Sequence, residues 1–303
     1  MISKDRNKHL LAIAGGCLVS VIWASSFILI KIGLSYFGPL TLAGLRYFSA
    51  FMILLPLVLV PNVSKNHNNL ISTRLWLGLF GLGLCSYTIG NGALFWGLKY
   101  IPSTTGSLLN SFTPIFVIGL SILWLREKPQ NKQLLGVGIS LIGSIFFFGY
   151  ADTENILGIC IVIIGVASFA LFHVLGRNIT KNNGLDTLRL TTFPLGFGGG
   201  ILLLLAAVFN EWPKITLVSG GIVLWLAVLN TAIAYLIYNW SLQFLTALEM
   251  SVILNLMPLF TTFFAWFILG ERPGVFRMIG MVVVIIGVIL VQLGNRSSKV
   301  NVC

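Results

Sequence analysis

Polar side chains set inside apolar runs are the residues of this sequence that can do chemistry, and they recur at helical spacing. Tyr87, Asn91 and Phe95 stand four apart, so on a helix they share one face. Thr231, Tyr235 and Asn239 repeat that spacing 144 residues later. Ser107 and Ser111 are matched by Ser251 and Asn255, and each pair precedes a proline, Pro114 or Pro258. Pro114 cannot donate to the carbonyl of Asn110, nor Pro258 to that of Leu254, so both helices are interrupted at matching places. Trp23 and Ser26 add a flat ring and a hydroxyl in "WASSF" (23–27), and Trp23 lies mid-run. Rings, carboxamides and hydroxyls of this kind suit the non-covalent binding of a small amphipathic solute. They do not suit catalysis: no His/Asp/Glu metal set is present, and no serine shares a helical face with a base. The expectation is a protein that is not an enzyme and uses no cofactor and no metal.

Three ionisable residues need separate treatment. Arg46 and Arg189 can bind a carboxylate or a helix-end backbone, or snorkel to the interface. Glu249 can titrate and so couple a conformational change to protons, or simply favour the positive end of a helix dipole. Tyr87, Asn91, Tyr235 and Asn239 can line a cavity or hydrogen-bond between helices as packing contacts. Ser107, Ser111 and Ser251 read as packing contacts, Trp96 and Trp240 as interfacial anchors, and His173 and Lys31 as snorkelling side chains near helix ends.

These residues sit in a chain whose solvent is lipid. Of 303 residues 57% are apolar and only 9% are charged, too few to clothe a water-facing surface. In hydrocarbon every backbone polar group must be satisfied internally, and runs of about twenty residues without strict alternation make helices rather than a barrel. Ten such runs lie near 10–34, 39–60, 75–98, 103–125, 133–150, 156–176, 187–209, 219–243, 247–269 and 275–294. The first is too long for a secretory signal and is read as a retained span. The four cysteines are scattered, without disulfide or metal spacing. "GFGGG" (196–200) follows no strand and lies in an apolar run, so it serves close helix packing rather than a dinucleotide. The net charge of +11 resides in short connections and calls for no nucleic acid.

With the N-terminus in the cytoplasm, Lys4, Arg6, Lys8, Lys65, Arg74, Arg126, Lys128, Lys132, Arg177, Lys181, Arg296 and Lys299 fall inside, against Lys99, Lys214, Arg272 and Arg277 outside. That bias places both termini in the cytoplasm of a multi-pass protein of the cytoplasmic membrane.

The chain repeats itself. "LREKP" (125–129) and "LGERP" (269–273) each follow an apolar run, with Pro114 or Pro258 thirteen residues before the glutamate. At a shift of 144, Trp96, Leu98, Ser107, Pro114, Phe116, Glu127, Pro129, Gly136 and Gly143 all meet identical residues. At 142 and 143, "ASSF" (24–27) faces "VASF" (166–169) and Leu45-Arg46 faces Leu188-Arg189. The fold class is therefore all-α membrane protein, ten transmembrane helices in two five-helix repeats, 1–150 and 151–303. Five is odd, so the second copy is inverted, the architecture of many secondary transporters. Glu127 and Glu271 then mark helix ends at opposite faces, and a direct functional role for either is the sharper alternative.

"WASSF" in helix 1, "PLTLAGLR" (39–46) entering helix 2, and the two proline–pentapeptide–glycine series resemble the EamA family of the drug/metabolite transporter superfamily. Arg126 departs from the family's Leu-Gly-Glu, and helix 6 lacks the tryptophan of helix 1. The resemblance implies a ten-helix carrier that exports amino acids, other metabolites or toxic compounds by alternating access without ATP. The alternatives are a multidrug efflux carrier, a passive facilitator and, further off, a scaffold without transport. The partners expected are a small-molecule substrate and the bilayer, with proton coupling and oligomeric state left open.

Overall fold

The computed structural model describes residues 2–60, 72–97, 100–101, 103–148, 155–182, 185–209, 216–269 and 274–298. Ten membrane-length helices follow in order: α1 (Ile2–Gly33), α2 (Pro39–Leu59), α3 (Thr73–Gly97), α4 (103–125), α5 (Asn131–Phe148), α6 (Ile156–Asn182), α7 (Thr187–Val208), α8 (Leu217–Ser241), α9 (247–269) and α10 (Val275–Ser298). No strand occurs among the described residues. The face at which α1 begins is here the near face, and the opposite one the far face. Since each unit has five helices, α6 starts at the far face, and the second unit is inverted relative to the first.

Large apolar side chains point outward, among them Leu77 (67% exposed), Leu123 (81%) and Leu204 (70%). Such exposure is stable only against lipid. Small residues bring helices together inside. A Cβ on Gly136 would lie 2.8 Å from the Gly287 carbonyl oxygen, and one on Gly143 would lie 3.0 Å from that of Gly280. Gly136 and Gly280 are repeat partners, as are Gly143 and Gly287, so these two contacts exchange under the repeat. α5 and α10 thus cross on an internal pseudo-two-fold axis. Within "GFGGG", a Cβ on Gly198 would lie 2.5 Å from the Gly83 oxygen of α3, which is close packing in the expected sense.

Two backbone devices also obey the repeat. α3 widens into π-helical turns over Leu84–Asn91, and α8 does so over Val228–Ile233, starting at the equivalent residue. In α3 the Asn91 amide donates to the Ser86 carbonyl, and in α8 the Thr231 hydroxyl donates to the Leu226 carbonyl, both five residues back. That spacing fits a π turn, in which backbone bonds span five residues. α4 breaks between Ser111 and Thr113, and α9 between Leu254 and Met257, just ahead of Pro114 and Pro258. The carbonyl of Asn110, which Pro114 cannot serve, accepts instead from the Thr113 hydroxyl at 2.6 Å.

The first pentapeptide ends α4 by a left-handed residue: Arg126 has φ 55, the only positive φ at a non-glycine among the described residues. Glu271 and Pro273 of the second pentapeptide lie outside the described residues, as do Lys65, Lys99, Lys214, Arg272 and Lys299 of the charge count and the side chains of Lys4, Arg6, Lys31, Ser107 and Arg296.

Candidate functional site

A cavity of about 130 Å³ lies between the two units, lined by seven of the ten helices. A single water needs about 10–15 Å³, so the space suits a small organic solute. α1 to α4 line it from their far-face halves, with Trp23, Ser26 and Ile30, then Arg46 and Tyr47, Ser86 to Phe95, and Gly106 to Thr113. The second unit contributes Phe169, Phe172 and His173 of α6, Tyr235 of α8, and Ser251 to Pro258 of α9.

Each backbone device sets a side chain in this wall. The π turn of α8 offers the Asn230 carbonyl to two donors, Trp23 Nε1 at 3.0 Å and Arg46 Nη2 at 2.9 Å. Arg46 Nε also donates to Thr231 Oγ1 at 2.7 Å. A guanidinium and an indole are thereby fixed by one widened turn, with the Tyr235 ring tilted against Trp23 at 5.0 Å between ring centroids. The breaks in α4 and α9 meet each other: Asn255 Nδ2 donates to the Ser111 carbonyl at 3.1 Å, across a pair of repeat-equivalent residues, and approaches Ser140 Oγ at 3.4 Å. Asn91 and Asn110 add carboxamides, and Ser26 turns its hydroxyl to the Trp23 carbonyl.

Of the residues singled out in the sequence, Trp23, Ser26, Arg46, Asn91, Asn110, Tyr235, Asn255 and Pro258 line the cavity. Tyr87 does not; it is 1% exposed and packs behind the wall on Tyr47 and Tyr235. Asn239 turns away and donates to Thr191 of α7 at 2.9 Å. Arg189 is buried in the first turn of α7, away from the cavity, and Pro114 sits behind the lining residue Thr113. Glu249 closes a capping box at the start of α9, accepting from Thr246 N at 2.7 Å, with His9 Nε2 3.8 Å from its other oxygen.

Ser111 and Ser251 line the cavity as well as packing between helices. His173 corrects its expected place. The apolar run stops at 176 but the helix continues to Asn182, so His173 is inside the bundle, 4% exposed, with Nδ1 2.6 Å from the Tyr238 hydroxyl. Tyr47, Phe169 and Phe172 are lining rings that no sequence pattern singled out; the match of Phe27 with Phe169 in the repeated "SF" is the one signal that touched them.

At the near face the units are tied together. Glu127, just past α4, accepts from Lys181 of α6 at 3.0 Å and lies 3.7 Å from Arg177 Nε. Arg177 Nη1 donates to the carbonyls of Leu242 and Gln243 at the α8–α9 turn, and His9 of α1 reaches the Phe244 carbonyl at 3.3 Å.

Two inverted five-helix units around a partly polar cavity, with broken helices in matching positions, are the build of a membrane transporter. Comparison with known proteins agrees. Residues 10–149 and 156–293 each match the EamA-like transporter family, and the chain belongs to that family. It is 29% identical to an uncharacterized transporter of Archaeoglobus fulgidus over 90% of this chain and 94% of that protein. It is 28% identical to the uncharacterized transporter YyaM of Bacillus subtilis, over 93% of both chains. A protein of Chlamydia trachomatis named as an S-adenosylmethionine/S-adenosylhomocysteine transporter is 24% identical, over 88% of this chain and 85% of that one. A solved structure, described only as that of a protein, shares the fold with a TM-score of 0.78 at 17% identity, covering 94% of this chain and 98% of its own. The protein is a multi-pass membrane transporter of small molecules.

Proposed function

We propose that the protein exports a small amphipathic metabolite, an amino acid or a related compound, across the cytoplasmic membrane by alternating access. The observation that carries this is the cavity itself: six aromatic rings, several carboxamides and hydroxyls and one guanidinium, set between two units that can tilt against each other. The near face is the cytoplasmic one on this reading, because the basic residues of the connections gather there. The arrangement is then outward-facing, because the near face is held by Glu127, Arg177 and the α8–α9 turn. Rocking of 1–150 against 151–303 would part those near-face contacts and deliver the cavity to the cytoplasm. The Chlamydia relative is named for two cargoes that carry an amino-acid head on a larger body, a chemistry of the same amphipathic kind.

The purified chain in liposomes should exchange preloaded amino acids for external label, with and without a pH gradient. Exchange of at least one amino acid is the expected result. No movement of any of them, together with no protection of host cells against toxic amino-acid analogues, removes the metabolite-exporter reading.

A further inference from the structure

The cavity is charged in one sense only. Among the described residues Arg46 is the single permanently charged one that lines it, and no aspartate or glutamate does so. The side chain is 5% exposed. The ion pairs found among the described residues are Glu127 with Arg177 and Lys181, and Glu249 with His9; Arg46 takes part in none of them. Its two hydrogen-bond acceptors, Thr231 Oγ1 and the Asn230 carbonyl, are neutral. A buried cation held in a membrane protein without a counter-ion is costly, and such residues characteristically face a functional cavity. Those two bonds use Nε and one N–H of Nη2, which leaves both N–H groups of Nη1 and one of Nη2. A planar fork with that many donors left matches a carboxylate.

We infer that Arg46 recognises a carboxylate on the cargo, and that the cavity selects small solutes bearing one carboxylate and an apolar or aromatic body. The inference rests on the transport reading and narrows it. Trp23, Phe172 and Tyr235 supply the apolar walls, with Tyr47 beside the guanidinium at 5.2 Å from ring centroid to Cζ. The Asn91 and Asn110 carboxamide oxygens are acceptors for an ammonium, so a zwitterion is admitted. A solute with an amine and no carboxylate meets the fixed positive charge of Arg46 with nothing to offset it. The repeat-equivalent Arg189 does not line the cavity, so recognition falls to one arginine of the pair.

The test is a four-compound panel: phenylalanine, phenylalaninamide, 3-phenylpropanoate and 2-phenylethylamine, each titrated against the full chain in detergent by calorimetry. The ring is constant while carboxylate and ammonium are removed in turn. The two carboxylates should bind about 10- to 100-fold more tightly than the amide and the amine, the difference charge-assisted hydrogen bonds make. Arg46→Gln should erase that preference, and Arg46→Lys, which keeps the charge and loses the fork, should reduce it about tenfold. The wild-type panel decides the matter even if Arg46→Gln does not fold. Amide or amine binding as tightly as the acids, or an Arg46→Gln variant that keeps the preference, overturns the inference and leaves transport standing. Failure of all four to bind overturns it too, and the exchange assay above then judges transport with other cargo.

Discussion

At the near face the two units are joined through ion pairs, whereas at the level of the cavity they meet through rings and through hydrogen bonds that include a single guanidinium on uncharged acceptors. Glu127 pairs with Arg177 and Lys181 there, and Arg177 Nη1 also donates to two carbonyls of the α8–α9 turn. Arg46 has no acid beside it among the described residues, and its hydrogen bonds there go to the opened turn of α8. The same repeat supplied both regions, and what differs is the company each charge keeps. Charges that neutralise each other bind protein to protein; a charge left without its opposite is set to bind something else. The contrast also gives the asymmetry a carrier needs, because one end can be released while the other receives cargo.

The largest effect is expected from reversing the charge in the near-face cluster. Glu127→Lys replaces two attractions by two repulsions at a side chain that is only 20% exposed, although Lys181 is 48% exposed and screened. The cluster should lose about 2 kcal/mol, which opens the near face roughly 30-fold more often. Leu248, buried near Glu127 at the start of α9, is a suitable reporter as Leu248→Cys once Cys17, Cys85, Cys160 and Cys303 are replaced. Maleimide labelling of that cysteine should quicken by about that factor. Unchanged labelling would mean that Glu127 only marks where α4 ends.

Much of the frame that holds these regions was legible in the sequence, because lipid forces the backbone into helices and charge into the connections. The spans, the repeat and the breaks before Pro114 and Pro258 follow from apolar runs, a 144-residue shift and the missing proline donor. The π turns were not legible. One extra residue in a turn advances the helix face by about 100° without changing composition or hydropathy. That is why the i, i+4 stripes are split in the structure: Asn91 and Phe95 line the cavity while Tyr87 lies behind it. In the other copy Thr231, within the π turn, holds Arg46 while Tyr235, beyond it, faces the cavity; Asn239 lies one regular turn further on and bonds to α7. Tyr47, Phe169 and Phe172 were hidden for a simpler reason, since an aromatic residue in an apolar run carries no mark of whether it faces lipid, neighbour or cargo.

A smaller effect, of opposite sign, is expected at the residue before Glu127. Arg126 adopts φ 55 to turn the chain out of α4, while Gly270 stands at the matching position of the second unit. A left-handed conformation costs an ordinary side chain about 1–2 kcal/mol, and glycine adopts it freely. The glycine variant also gains freedom when unfolded, which offsets part of the benefit. Arg126→Gly should therefore raise stability by about 1 kcal/mol, seen as a higher thermal midpoint in detergent. If the midpoint falls instead, the arginine head is contributing to the charged cluster more than the strain costs, and the cluster is larger than its three named members.

The smallest effect tests whether the buried acid near that face belongs with the joined charges or with the cargo. Glu249 is 0% exposed, and one of its oxygens accepts from both the backbone and the hydroxyl of Thr246. Glu249→Gln keeps an acceptor oxygen in the same place, so the capping box can persist, while the attraction to His9 at 3.8 Å is given up. The stability loss should be about 0.5 kcal/mol, within the range of a single helix-end charge. If Glu249 is structural, the exchange rate and its response to an imposed pH gradient should match those of the unsubstituted protein. Should the response to the gradient vanish while binding of the cargo is retained, Glu249 is the proton-carrying group. Coupling would then run through the near face, across the contacts of α1 with the α8–α9 turn, rather than through any residue that touches the cargo.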